Sequence, residues 1–260
     1  MSTSFVPGRG LALDLQGHIA TLTFNRPPLN FFDKELISDM VSALNYLDQQ
    51  AHCRVVILQA DGPTFCAGAD FSGGATTFDP ALPRALYQQA VQLFRTRKPL
   101  IVVVEGAAIG GGLGLAMVGD FRVTSEKARF SANFNRLGIH QGFGLSVTLP
   151  RLVGVQMASL LIATGRRING REALRIGLAD VLAEPGCERQ AARELAAEIA
   201  LSAPLAVMSS RETLRMGLAD AVEAILDREA SEQQWQVATD DFVEGNKAAA
   251  ERRDPHFVGA

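Results

Sequence analysis

The chain has 260 residues, 47% of them hydrophobic and 20% charged, with a formal net charge of -3. That length can bury a sizeable core, and the mildly acidic balance excludes a basic nucleic-acid binder or a protein drawn to anionic membranes. Cys53, Cys66 and Cys187 form no CxxC pair, so neither a disulfide framework nor a zinc site is expected, and a reducing cytoplasm fits.

At the amino terminus, residues 1–10 lack the basic start and apolar stretch of an export signal, and no segment is expected to span a bilayer. Leu11, Leu13 and Leu15 alternate with polar or small residues, Gly17 punctuates, and β-rich residues resume from Ile19 to Phe24, which predicts a hairpin. A loop with two prolines follows at residues 25–30. Asp33 can then cap a helix whose apolar positions Leu36, Ile37, Met40, Val41, Leu44 and Leu47 recur at helical spacing.

Residues 54–60 predict the next strand, ending in Asp61-Gly62-Pro63-Thr64-Phe65-Cys66-Ala67-Gly68-Ala69-Asp70. Residues 71–82 show no periodicity and predict a mobile surface loop, and Pro83 can open a helix carrying Leu86, Tyr87, Ala90, Val91 and Phe94. Loop and helix together suggest a lid. Residues 100–104 are apolar and mostly β-branched, as a strand buried on both faces requires.

That strand is expected to run into the glycines of residues 105–120, which precede an apolar helix. At such a junction the first helical amides lack internal partners, and residues without side chains let a ligand oxygen approach them. A dinucleotide fingerprint fails at Leu115 and a phosphate loop fails at Leu113, so anion or oxyanion capture is the expected chemistry. The stretch ending in Asp70 is a second junction of the same kind, and the recurrence says more than either copy.

Residues 121–124 predict a short strand, whereas residues 128–144 are neither a clean strand nor a clean helix. Beyond Gly144 the pattern is helical: residues 145–152 interrupted by Pro150, then 155–164, then 171–176, with a short strand at Val181 and Leu182. Helices over residues 188–201, 204–216 and 219–242 close the chain. Val222, Ile225, Leu226, Trp235, Val237 and Phe242 either fold back on their own domain or pack against another subunit.

These motifs, in this order, resemble the crotonase, or enoyl-CoA hydratase/isomerase, superfamily. The resemblance rests on Asn25-Arg26-Pro27, the stretch from Gly62 to Asp70, the triple glycine run to Asp120, residues 130–142, Thr164-Gly165-Arg166-Arg167-Ile168, residues 173–181 and the terminal segment from Asp241 to Phe257. It implies an α/β fold, a spiral of ββα repeats, with a core domain over residues 1–200. Residues 201–260 would form a helical trimerisation region, giving a homotrimer or a dimer of trimers.

The same resemblance implies an acyl-CoA substrate whose thioester oxygen accepts backbone N–H bonds from Ala69 and Gly111. No permanent cofactor and no metal is implied, coenzyme A arriving as part of the substrate. Leu29, Phe31, Ala67, Gly68, Asp70, Phe71, Gly110, Gly114, Phe134 and Leu137 would line the CoA and acyl channel. Neither nucleic acid nor membrane is expected as a partner.

One departure matters more than the match. Hydratases of this family carry two glutamates where this chain has Gly114 and Phe134, with Asn133 in place of a proline, and an aspartate found in some members is here Gly142. The resemblance therefore implies enolate stabilisation without standard hydration. Isomerisation, thioester hydrolysis, decarboxylation, dehalogenation or non-catalytic acyl-CoA binding remain open. His140, whose unperturbed pKa is about 6.5, is the first replacement proton carrier. Glu105 is the second, with Asp79 and Tyr87 on the lid after it. Cys66 lacks a neighbouring base or cation that would make it a nucleophile.

Overall fold

The computed structural model describes residues 6–70 and 82–260. The lid loop, with Phe71 and Asp79, lies outside the described residues.

In chain order the elements are β1 (Leu11–Gln16), β2 (Ile19–Phe24), α1 (Lys34–Gln49), β3 (Val55–Ala60), α2 (Leu82–Ala90), β4 (Leu100–Val104), β5 (Ala107–Ile109), α3 (Gly111–Ala116), β6 (Phe121–Ser125), β7 (Arg129–Ser131), α4 (Leu145–Thr164), β8 (Ile168–Asn169), α5 (Gly170–Arg175), β9 (Val181–Ala183), α6 (Glu188–Ala200), α7 (Pro204–Leu214), α8 (Leu218–Gln236) and α9 (Asp240–Glu251). Two 3₁₀ turns, Val91–Arg95 and Asn133–Leu137, complete them.

Six strands form one sheet in the order β1-β2-β3-β4-β6-β9, antiparallel at the β1–β2 hairpin and parallel elsewhere. A smaller sheet, β5-β7-β8, stands apart from it. β4 and residues 55–58 of β3 read as apolar runs because both of their faces are covered. Val55, Ile57, Ile101 and Val103 pack on Ala192, Ala196 and Ala200 of α6, while Val56, Leu58, Leu100, Val102 and Val104 join the main core. Each such side chain contributes about 1.5–3 kcal/mol on burial.

The hairpin, the strand at β3 and the Asp33 cap stand as expected, with the Asp33 carboxylate accepting from the Leu36 N–H at 2.8 Å. Residues 128–144 stand as expected, neither a clean strand nor a clean helix, because they hold only β7 and the 3₁₀ turn, both too short to show a period. Three expectations are corrected. The glycine turn follows β5 rather than β4: the chain leaves the large sheet at Glu105 and Gly106 and adds a short strand to the second sheet first. The break in α4 falls at Gly154 (φ 77, ψ 158), not at Pro150, because only glycine adopts that backbone readily. Residues 219–242 belong to two helices, since Thr239 caps α9 through the Phe242 N–H.

α4 also departs from the expectation that no segment could span a bilayer: its 20 residues and mean hydropathy of 1.5 meet that length and composition. The Gly154 break interrupts its backbone, and Leu145, Leu149, Ala158 and Leu161 are buried in the core. Val222, Leu226, Val237 and Phe242 also join the main core, so those C-terminal residues fold back on their own chain, while Trp235 stays 58% exposed.

Candidate active site

Three chain segments are laced together by main-chain bonds beside α3. Asn30, buried with φ 52, donates from Nδ2 to the carbonyls of Asp61 (2.8 Å) and Thr64 (2.6 Å), and its Oδ1 accepts the Arg26 N–H. Asparagine suits this place because its short amide tolerates a left-handed backbone and bonds locally. The Ala67 N–H then donates to Leu29 and the Phe32 N–H to Gly68, tying the loop to the first junction. Cys66 exchanges bonds with β5, its N–H donating to Ala107 at 2.9 Å and its carbonyl accepting from Ile109 at 3.0 Å.

This lacing brings the two glycine junctions side by side. A Cβ built on Gly68 would lie 3.2 Å from the Gly111 nitrogen, and one on Gly112 would lie 2.0 Å from the Cys66 carbonyl oxygen. Only a residue without a side chain permits that second approach. Gly110 turns the chain with φ 56 and ψ -120, a conformation reserved for glycine, and its N–H is held by the Ser131 carbonyl at 2.8 Å. Leu113 and Gly114 donate back to the Gly110 carbonyl. Among the described residues, the N–H groups of Ala69 and Gly111 have no acceptor.

The surroundings of α3 at Gly114 are aromatic. A Cβ on Gly114 would fall 2.6 Å from the Phe143 Cβ, so the place of a glutamate side chain is already occupied. Phe143 reaches it with φ 60, a backbone strained for a bulky residue. Its ring lies 5.1 Å from Phe32 and meets Tyr87 edge-on at 6.4 Å. Phe32 packs directly on Gly111, and the Phe134 ring tip would sit 3.8 Å from a Cβ on Gly110.

Among the channel residues expected from sequence, Ala67, Gly68, Gly110, Gly114 and Phe134 gather here, and Ala69 and Asp70 continue from Gly68. Leu29 is 42% exposed and reaches the site through its carbonyl. Phe31 is half-buried, and its neighbour Phe32 is the ring that touches Gly111. The Leu137 backbone lies against Gly245 of α9, and Leu137 packs on the main core. Phe32 is the residue that sequence reasoning missed, since it named the neighbouring Phe31 instead.

The described titratable candidates all carry bonds to their surroundings. His140 has its N–H on Gln236, its carbonyl on the Gln233 amide and its Nδ1 2.7 Å from the Gln141 carbonyl, so its bonds join it to α8 and its own loop. Glu105 pairs with Arg189 of α6 at 2.9 Å. Tyr87 is buried and donates to Gln233 at 3.0 Å; burial, and then the charge of Glu229, push its phenol upward. Burial raises the Cys66 thiol to about 12, which keeps it neutral and unreactive. Glu229, fully buried in α8, accepts from Gly144 and Ser146 and is itself pushed upward by burial. The described residues contain no group of ligands suited to a metal ion.

Comparison with known proteins places this arrangement. A family model described as Enoyl-CoA hydratase/isomerase matches residues 14–260. A probable enoyl-CoA hydratase of Bacillus subtilis is 33% identical over 254 residues, covering 96% of this chain and 98% of the relative. A short-chain-enoyl-CoA hydratase of Clostridium acetobutylicum is 34% identical over 247 residues, 93% of this chain and 94% of that one. The crystal structure of an enoyl-CoA hydratase/isomerase from Pseudoalteromonas atlantica superposes with a TM-score of 0.85 at 31% identity, over 96% of this chain and all of the other. The chain is therefore an enzyme of the enoyl-CoA hydratase/isomerase family and has the crotonase fold.

Proposed function

We propose that the enzyme receives the thioester oxygen of an acyl-CoA on the N–H groups of Ala69 and Gly111 and stabilises the enolate formed there without hydrating it. The observation that carries this is the contact of Gly68 with Gly111, which sets two uncommitted donors on adjacent chain ends. Any reaction beside a thioester carbonyl drives negative charge onto its oxygen. Amides already pointed at that oxygen stabilise the charge without reorganising.

Hydration needs a further group to activate water, and the sites of both family carboxylates are taken by Gly114, Phe134 and the Phe143 ring. Chemistry that needs mainly the oxyanion site fits this wall better. In loss of carbon dioxide from a carboxyacyl thioester, the breaking C–C bond delivers its electron pair to the thioester oxygen, and the resulting enolate then takes a proton. His140, in the same loop as Phe143, is the proposed proton carrier. Isomerisation, hydrolysis and dehalogenation are the other non-hydrating outcomes.

A panel of enoyl-, carboxyacyl-, haloacyl- and saturated acyl-CoA thioesters, analysed by mass spectrometry, tests the reading. The expected result is turnover of a member other than by water addition; efficient hydration of crotonyl-CoA would overturn it. His140→Ala with unchanged turnover would remove the proton carrier alone. We assign residues 201–260 to assembly as a homotrimer or a dimer of trimers, supported by exposure of Leu201, Leu205, Leu214 and Met216. Light scattering showing a monomer would remove that assignment.

A further inference from the structure

A second cavity lies behind the 3₁₀ turn Asn133–Leu137. It has a volume of about 950 Å³ and is bounded by that turn, by residues 164–167 after α4, and by the end of α9. Arg136, Arg166, Arg167, Arg252 and Arg253 line it, against the single carboxylate of Asp254. Arg136 takes Asp254, and Arg253 is held by Glu244 and Glu251. Arg166, Arg167 and Arg252 have no ion-pair partner among the described residues, although Arg166 donates to the Thr164 hydroxyl at 3.1 Å.

This concentration of positive charge is not the background of the chain, whose net charge is -3. Like charges gathered around one volume repel each other unless an anion enters, and the described residues supply no carboxylate to Arg166, Arg167 or Arg252. The backbone also accepts an unfavourable conformation here. Arg252 ends α9 with φ 57 and ψ 38, which L residues adopt rarely, and bonds from its own and the next N–H to Ala249 and Ala248 hold it there. Opposite, Gly165 has φ 57, and a Cβ on it would strike the Arg136 side chain at 2.5 Å.

We propose that this cavity binds a phosphate-bearing small molecule. Guanidinium groups present planar forks that match phosphate oxygens. Three unpaired forks around one volume offer more donors than a single carboxylate can accept, which favours phosphate. The wall nearest the active site is Asn133, whose buried Oδ1 has no hydrogen-bond partner and would lie 3.2 Å from a Cβ on Gly110. The cavity and the glycine turn thus share one side chain.

The test is calorimetric titration of the intact enzyme with inorganic pyrophosphate. Saturable binding is expected, with affinity falling at least tenfold in the Arg167→Ala, Arg252→Gly double variant. Glycine relieves the left-handed backbone at position 252, and neither residue has an ion-pair partner to lose, so folding is preserved. Arg167→Lys, which keeps the charge but loses the fork, is expected to bind with intermediate affinity. No saturable binding, or equal affinity in wild type and double variant, overturns the proposal. Repeating the titration with saturating acetyl-CoA identifies the source of the phosphate. Competition that the double variant abolishes assigns the cavity to the phosphates of CoA, and undiminished binding assigns it to a separate phosphorylated ligand; both support the site.

Discussion

The two sides of the segment from Gly110 to Gly114 are built from different parts of the chain. Toward Gly68 the surface is main chain: N–H groups, a carbonyl, and glycines that allow close approach. Toward Phe143 it is side chain, and aromatic rings fill the space beside Gly114. A main-chain donor is indifferent to residue identity as long as the backbone keeps its path, so substitution leaves it in place. A carboxylate disappears with one codon. Under the proposed function, the main chain supplies the oxyanion donors and the rings close the space that a water-activating group would need.

The largest effect that bears on this contrast is at Gly111. Proline there removes the N–H at a first-turn position that tolerates it, while alanine keeps the N–H and adds a similar contact with Phe32. Turnover of the substrate found in the acyl-CoA panel should fall roughly 100- to 1,000-fold further in Gly111→Pro than in Gly111→Ala. Equal losses would place the effect in packing and break the comparison.

Phe143 tests the other side. Phe143→Ala should cost about 3–5 kcal/mol in urea denaturation, because it empties a fully buried site. Phe143→Gly should recover roughly 1 kcal/mol of that by relieving the positive φ, a reversal of the usual alanine and glycine ranking. Gly114→Glu is a smaller perturbation, expected to destabilise by about 1–3 kcal/mol through overpacking against Phe143. It should produce no hydratase activity in a crotonyl-CoA assay, since the new carboxylate has no room beside the ring. Gain of hydration from this change alone would show that the wall is not what excludes water.

The smallest effect is at the C-terminal rim of the arginine cavity. Hydrogen bonds from Arg253, and then from the His256 N–H, hold the Glu244 carboxyl down at about 2. A depressed acid stabilises the folded arrangement above its ordinary value of about 4.3, and that contribution is lost as pH falls through the folded value. Hydrogen exchange should therefore show the amides of residues 253–258 protected at pH 5 and released toward pH 2. Unchanged protection over that window would detach Glu244 from the docking of the tail.

Legibility in the sequence followed locality. The hairpin, the capped helix α1 and the buried strands β3 and β4 follow from period, caps and turn residues within a few positions, and they stand in the structure. β5 and β7 have three residues each and β8 has two, too short for any pattern to emerge, and the glycine turn was accordingly assigned to the wrong strand. His140 could be picked out as a titratable residue, but its bonds to Gln233 and Gln236 lie far along the chain and nothing local announces them. Phe32 against Gly111 and Phe143 against Gly114 are likewise contacts between distant segments.

By itself the sequence decided that no carboxylate stands at 114 or 134, because that is a matter of residue identity at a position. It also decided where the backbone could turn, because glycine is the residue that tolerates those angles. What occupies the vacated volume was decided by tertiary structure alone. A ring fills a space only when α3, its loop and α2 are packed around it, and that depends on distances no linear pattern encodes.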